Sequence, residues 1–231
     1  MKFAGIQKLT LLDYPGKTAC TLFTQGCGFR CPFCHNSSLL PAAAPAAMTL
    51  PDEEILSFLA RRKGILEGVC VSGGEPLMNE ELPDFLRRVR EMGFFIKLDT
   101  NGSYPQRLRA LVDEGLIDYA AMDVKNSPVR YAQTCGLKTM DLGPVCESVS
   151  FLKNGALPFE FRTTVVYEYH DDQAMAAIGE WLKGNEPYFL QGFVDSGDVL
   201  KKGLHACAKE QMEHFVSLLK PALPNCALRG V

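Results

Sequence analysis

The chain has 231 residues, 47% of them hydrophobic, which suits one globular domain of the larger kind. A formal net charge of -3 and a pI of about 5.8 advertise no basic face for nucleic acid, and no run of eighteen apolar residues offers a membrane span. The opening "MKFAGIQKLTLLDYPGK" lacks the long apolar core and small-residue cleavage site of a signal peptide, so a cytoplasmic location is expected.

In chain order, "KTACTLFTQ" reads as the first strand and Glu53 to Lys63 as the first long helix. Between them "SSLLPAAAPAAMTLP", 37 to 51, reads as a surface connection; a lid over a nearby site is the sharper alternative. "GVCVSGG" is the second strand. Asn79 is placed to cap a helix with apolar positions Leu82, Phe85, Leu86 and Val89, stopped by Gly93. "FFIKLDTNG" follows, then a helix carrying Leu108, Leu111 and Val112, stopped by Gly115. "IDYAAMDVK" is next, then a helix over 142 to 154, then "FEFRTTVVY", rich in β-branched and aromatic residues. Asp171 or Asp172 opens a helix with Met175, Ile178 and Leu182, and "YFLQGFV" is a further strand. The tail after Pro221 carries no readable motif.

About six βα units emerge. Such a series gives an open doubly wound sheet or a full or partial barrel; six units are too few for a closed eight-stranded one. No boundary divides the chain, so one domain over 1–231 is expected.

Ligands collect at the C-terminal ends of strands in these architectures. Here those ends are polar or glycine-rich. They carry Cys27, Cys31 and Cys34; Ser72, Gly73, Gly74 and Glu75; Asp99, Thr100 and Asn101; Asp123 and Lys125; and Arg162, Thr163 and Thr164. Charge inside apolar strand runs is costly unless paired or used.

Nine cysteines, an odd number, suggest metal or redox chemistry in a chain too long to need disulfide staples. Cys20, Cys70, Cys135, Cys146, Cys207 and Cys226 are scattered and expected to be inert. Cys27, Cys31 and Cys34 form a tight group of soft ligands. A Cys3His zinc site would need His35 to reach back sharply past Cys34. A four-iron four-sulfur cluster held by three thiolates keeps one iron open. His170, His205 and His214 have no motif around them and are expected to be exposed or satisfied in the core.

The Cx3CxΦC pattern, with Phe33 before the last cysteine, resembles the radical S-adenosylmethionine superfamily, and "SGGEP" resembles its GGE motif. "DYPGK", "FTQGCGFRCPFCHN", "LDTNGS", "AMDVK" and "FRTTV" together resemble the glycyl-radical-enzyme activases. The group most resembled is the anaerobic ribonucleoside-triphosphate reductase activating proteins. "CHN" and "LDTNG" are shared with the pyruvate formate-lyase activases.

The resemblance implies a partial (β/α)6 TIM-like barrel and a 4Fe-4S cluster on Cys27, Cys31 and Cys34. Its open iron would be chelated by S-adenosylmethionine, whose reductive cleavage gives a 5′-deoxyadenosyl radical. Phe33, Asn36, Ser72, Gly73, Gly74, Glu75, Asp99, Asn101, Asp123, Lys125 and Arg162 are the implied cofactor contacts. Glu75 would accept from the ligand ammonium; for Arg162, pairing with a nearby acid is the equal alternative. Asp99, Thr100 and Asp123 are implied candidates for a monovalent cation. The partner would be a glycyl radical enzyme and the reductant a carrier such as flavodoxin or ferredoxin, with no part for nucleic acid or membrane. Phe193 stands where pyruvate formate-lyase activases carry a histidine. The alternatives are another activase, a small-molecule enzyme such as 7-carboxy-7-deazaguanine synthase, and a zinc or electron-transfer protein.

Overall fold

The computed structural model describes residues 1–40, 49–155, 157–195 and 197–230. Its elements are β1 (Lys2–Thr10), β2 (Ala19–Thr24), β3 (Leu50–Pro51), α1 (Asp52–Ala60), β4 (Gly68–Gly73), α2 (Leu82–Glu91), β5 (Phe95–Thr100) and α3 (Pro105–Asp113). They continue as β6 (Tyr119–Asp123), α4 (Tyr131–Thr134), α5 (Gly143–Lys153), β7 (Phe159–Val165), α6 (Asp172–Leu182), β8 (Tyr188–Gly192), α7 (Lys209–Leu219) and β9 (Cys226–Arg229).

The described strands form one sheet in the order β3-β1-β2-β4-β5-β6-β7-β8-β9. From β2 to β9 every pairing is parallel, and each strand pairs with the next parallel strand in sequence. A doubly wound sheet reverses its strand order at a switch point. This one never reverses, so it curls in one sense as a barrel wall does. The parallel strands β2, β4, β5, β6, β7 and β8 are the six expected ones. The barrel is partial, with β3 and β9 at its two ends.

Two features depart from expectation. The N-terminal residues form β1, antiparallel to β2 and β3. The tail after Pro221 supplies β9, and α7 precedes it. The Ala/Pro segment is described only at its ends: Ser37–Leu39 form a 3-10 turn, and Leu50–Pro51 are β3. The expectation of a connection or lid falls mainly on 41–48, outside the described residues. Asn79 does not cap α2; its side chain turns back to the carbonyls of Pro76 and Gln25.

The helices cover the outer face. Leu56 and Leu59 of α1, Phe85, Leu86 and Val89 of α2, Leu108 and Leu111 of α3, and Met175, Ile178 and Leu182 of α6 are buried at helical spacing. They meet outward strand residues such as Val69, Val71, Ile96, Leu98, Ala120 and Met122, all fully buried. Each buried side chain of this size contributes roughly 1.5–3 kcal/mol.

The inner face is different. Strand alternation puts Lys97 and Asp99 on one face of β5, Tyr119 and Asp123 on one face of β6, and Glu160, Arg162 and Thr164 on one face of β7. A barrel interior is usually filled by branched apolar residues. Here it holds ion pairs: Lys97 with Asp99, Arg162 with Asp99 and Asp123, and Arg229 with Glu160.

Candidate active site

The loop after β2 brings Cys27, Cys31 and Cys34 to the wall of a cavity that opens to solvent. The cavity is lined by the three cysteines with Phe33 and Asn36, Ser72, Gly73 and Gly74 after β4, Asp99, Thr100 and Asn101 after β5, and Asp123 and Lys125 after β6. These come from four successive strand ends. Phe29, His35, Leu40 and Thr164 also line it; they escaped the reading for cofactor contacts. Thr164 was findable, because it alternates with Arg162 on the inward face of β7.

The cysteine loop is held at both ends. The Gly26 N–H donates to the Leu39 carbonyl at 2.8 Å, and the Glu75 N–H donates to the Gly26 carbonyl at 2.7 Å. A Cβ on Gly74 would sit 2.1 Å from the Gly26 carbonyl oxygen, and one on Gly73, at φ +122°, 2.3 Å from the Thr24 nitrogen. The glycine pair therefore lets β4 close on the cysteine loop, as well as leaving its backbone open to the cavity.

Each thiolate has its own surroundings. Cys27 sulfur accepts from the Phe29 N–H at 3.4 Å and from Asn101 Nδ2 at 3.6 Å. Burial still pushes its thiol up to about 11. Cys31 moves the other way, chiefly because it is hydrogen-bonded to the Cys135 thiol, with Lys125 adding to the effect. Burial raises Cys34. Cys135 is thus an exception among the six scattered cysteines: its thiol sits behind Cys31, off the cavity wall. Cys20 and Cys70 are fully buried, as expected.

Glu75 departs from its expected role. It is fully buried and does not line the cavity. Its carboxylate accepts from Thr100 Oγ at 2.8 Å, the Asn101 N–H at 2.7 Å and the Leu77 N–H at 3.1 Å. It holds the turn that presents Thr100 and Asn101 rather than reaching a ligand ammonium. Burial raises it to about 7 against those hydrogen bonds.

Arg162 does not line the cavity either. Its Nε donates to Asp123 Oδ1 at 2.9 Å and its NH1 to Asp99 Oδ2 at 3.3 Å, so the pairing alternative is the one realised. Lys125 Nζ donates to Asp123 Oδ2 at 3.1 Å. Burial works to raise Asp123, but Arg162 and Lys125 outweigh it and hold the carboxyl at about 2. The charge that a monovalent ion would bring to Asp99 and Asp123 is thus already supplied by side chains of the chain. Oδ1 of Asp99 is buried and accepts no hydrogen bond from the described residues.

His170 is satisfied in the core, bridging the Val166 N–H at 3.1 Å and the Lys125 carbonyl at 3.0 Å. His205 and His214 are exposed and paired with Glu168 and Asp172. Phe193 is buried with its ring 5.6 Å from that of His35.

Residues 21–180 match the model of the radical SAM superfamily. The chain belongs to the radical SAM superfamily. A Methanocaldococcus jannaschii protein with the provisional name glycyl-radical enzyme activating enzyme MJ1227 is 29% identical over 99% of this chain and 95% of its own length. The pyruvate formate-lyase 1-activating enzyme of Escherichia coli K12 is 29% identical over 90% of this chain and 91% of its own. Among solved structures, Streptococcus suis SuiB bound to precursor peptide SuiA superposes with a TM-score of 0.70 at 13% identity. That match covers 91% of this chain and 48% of SuiB, and it shows the shared fold.

Radical SAM membership makes the chain an enzyme with one 4Fe-4S cluster and S-adenosylmethionine. The residues fit both groups. Three cysteine side chains share one cavity wall, and each accepts a hydrogen bond from the chain: Cys27 from Phe29 and Asn101, Cys31 from Cys135 and Cys34 from the Asn36 N–H. Among the described residues no group of three or more His, Cys, Asp and Glu is arranged to hold a metal ion. A cluster carries its own sulfides and its thiolates bind different irons, so the cysteines need not converge on one point. The free oxygen of Asp99, the amide of Asn36 and the glycine backbone beside them suit a ligand with ammonium, hydroxyl and amine donors. No helix among the described residues is long and apolar enough to cross a membrane.

Proposed function

We propose that this radical SAM enzyme is an activase that installs a glycyl radical on a partner enzyme, and that the partner is anaerobic ribonucleoside-triphosphate reductase. The observation that carries the reading is the end-to-end likeness to relatives named as activating enzymes, over 99% of this chain and 95% of one of them. The choice of reductase rests on the motif set of the sequence and on Phe193, which fills a histidine position of the pyruvate formate-lyase activases. All 231 residues act as one domain in this reading.

Cys27, Cys31 and Cys34 would hold the cluster. The bound cluster and S-adenosylmethionine would together supply one-electron reductive chemistry able to abstract hydrogen from a glycine Cα. The chain's own work is positional. Gly73 and Gly74 let backbone meet the cofactor, Glu75 fixes Thr100 and Asn101, and Arg162 orients the two carboxylates. Phe33, buried with its ring 6.0 Å from that of Tyr169, walls the cavity. No general acid or base is needed for a hydrogen-atom transfer. A small carrier such as flavodoxin or ferredoxin is the proposed reductant, and the cytoplasm the proposed location.

The test is electron paramagnetic resonance of candidate partners after anaerobic incubation with the reconstituted enzyme, reductant and S-adenosylmethionine. A glycyl radical on the reductase is the expected result. A radical on pyruvate formate-lyase alone would reassign the partner. No radical on either would contradict the activase reading.

A further inference from the structure

The barrel interior contains a buried lysine that does not itself line the cavity. Lys97 lies in the middle of β5, with its side chain only 1% exposed. A buried ammonium persists only when paired and hydrogen-bonded. Its hydrogen bond goes down, to the backbone carbonyl of Asp13 in "DYPGK". That loop plugs the floor of the barrel: Asp13 Oδ2 accepts from Thr21 Oγ at 2.5 Å, and the Tyr14 ring lies 6.1 Å from Tyr119. Upward, Lys97 Nζ stands 3.1 Å from Asp99 Oδ1.

From there the charges alternate to the cavity. Asp99 Oδ2 meets Arg162, Arg162 meets Asp123 Oδ1, and Asp123 Oδ2 meets Lys125. Asp99, Asp123 and Lys125 line the cavity, whereas Lys97 and Arg162 stand behind it. The contact between Lys97 and Asp99 Oδ1, at 3.1 Å, is an ion pair between buried groups. It fixes Oδ1 by charge and so sets the orientation of the carboxylate that Asp99 brings to the cavity wall.

We propose that Lys97 is a positioning residue for S-adenosylmethionine, acting through Asp99, and that the "DYPGK" loop serves the site by anchoring Lys97 from the barrel floor. This rests on the reading of Asp99 as a cofactor contact. The motif then has a function remote from the mouth: it sets the height of an ammonium that orients a carboxylate on the cavity wall.

The test is a double-mutant cycle on cofactor affinity. Wild type, Lys97→Met, Asp99→Asn and the double variant are reconstituted anaerobically, checked for iron per chain, and titrated with S-adenosylmethionine by calorimetry. Each single variant is expected to bind at least tenfold more weakly with iron content unchanged. The double variant is expected to bind like Asp99→Asn, because Lys97 has no route to the cofactor except Asp99. Lys97→Arg, which keeps the charge, is expected to recover most of the affinity. Wild-type affinity in Lys97→Met, or a double variant weakened by the product of the two single losses, would overturn the proposal. If Lys97→Met fails to fold, Lys97→Gln, which keeps a donor for the Asp13 carbonyl but removes the charge, is titrated in its place; a loss of at least tenfold with iron content unchanged is expected, and wild-type affinity would overturn the proposal. Wild-type affinity in Asp99→Asn would instead overturn the reading of Asp99 as a cofactor contact.

Discussion

Glu75 Oε2 accepts a hydrogen bond from the Asn101 N–H at 2.7 Å, tying the end of β4 to the end of β5. With Thr100 on its other oxygen, the carboxyl is enclosed, and burial raises it from 4.5 to about 7. A raised carboxyl favours the fold in its protonated form. That contribution is fully present below about 4.5 and is lost as pH rises through about 7. The stability advantage of wild type over Glu75→Gln is therefore expected to shrink by about 3 kcal/mol at most between these limits. Urea unfolding of both proteins at several pH values measures it, and a difference independent of pH would contradict the burial of an ionisable Glu75.

Gly74→Ala drives a methyl group onto the Gly26 carbonyl, at 2.1 Å. Backbone against backbone cannot yield as a flexible side chain does, so the cysteine loop must shift. We expect a destabilisation of about 3 kcal/mol or more. Iron retained after anaerobic reconstitution is expected to fall with it. Gly28→Ala, where an added Cβ meets nothing within 4 Å, is the control and is expected to keep its iron.

Arg162→Met leaves two carboxylates, Asp99 and Asp123, without their shared cation. Removing one member of a buried charge network costs about 3–5 kcal/mol. The Asp123 carboxyl, held at about 2 in the intact protein, favours the fold above 3.8 and loses that contribution as pH falls through about 2. In the variant it is expected to titrate higher. The acid unfolding midpoint, followed by circular dichroism, is therefore expected to move to higher pH.

Asp171 caps α6 by accepting from the Ala174 N–H at 2.9 Å. Asp171→Ala is expected to cost about 1 kcal/mol, with the melting temperature lowered by about 2–4 °C. Affinity for S-adenosylmethionine should not change, because neither Asp171 nor any residue of α6 lines the cavity. An equal loss of cofactor affinity would show that α6 is coupled to the site.

The parallel strands were legible because their apolar runs end in glycine or charge, and the longer helices because their apolar residues recur at three and four. The edge strands were not. β1 has exposed residues such as Leu9 and little alternation, and β9 is four residues long and follows a proline-rich turn. Their register is set by neighbours, not by local pattern. α7 lay in a polar stretch that no strand signal framed. At the site, the three cysteines and the strand-end residues were named from sequence, and all of them except Glu75, Arg162 and Thr163 line one cavity. Thr163 alternates away from the cavity on β7, its hydroxyl donating to the Val124 carbonyl; the two charged residues are hidden for a common reason. A sequence shows that a charged group sits at a strand end, but not how many of its hydrogen bonds the neighbouring strands already satisfy. Lys97 was masked by its strand, and Cys135 by a distance of a hundred residues from Cys31.

The most direct measurement is electron paramagnetic resonance of the reduced, reconstituted protein with and without S-adenosylmethionine. Cys27, Cys31 and Cys34 holding a cluster with one open iron require a signal that changes shape when the cofactor is added. In Cys31→Ala both the intact cluster and that change should be lost, while Cys146→Ala keeps them. A wild-type cluster indifferent to S-adenosylmethionine, or a response that survives in Cys31→Ala, would contradict the assignment.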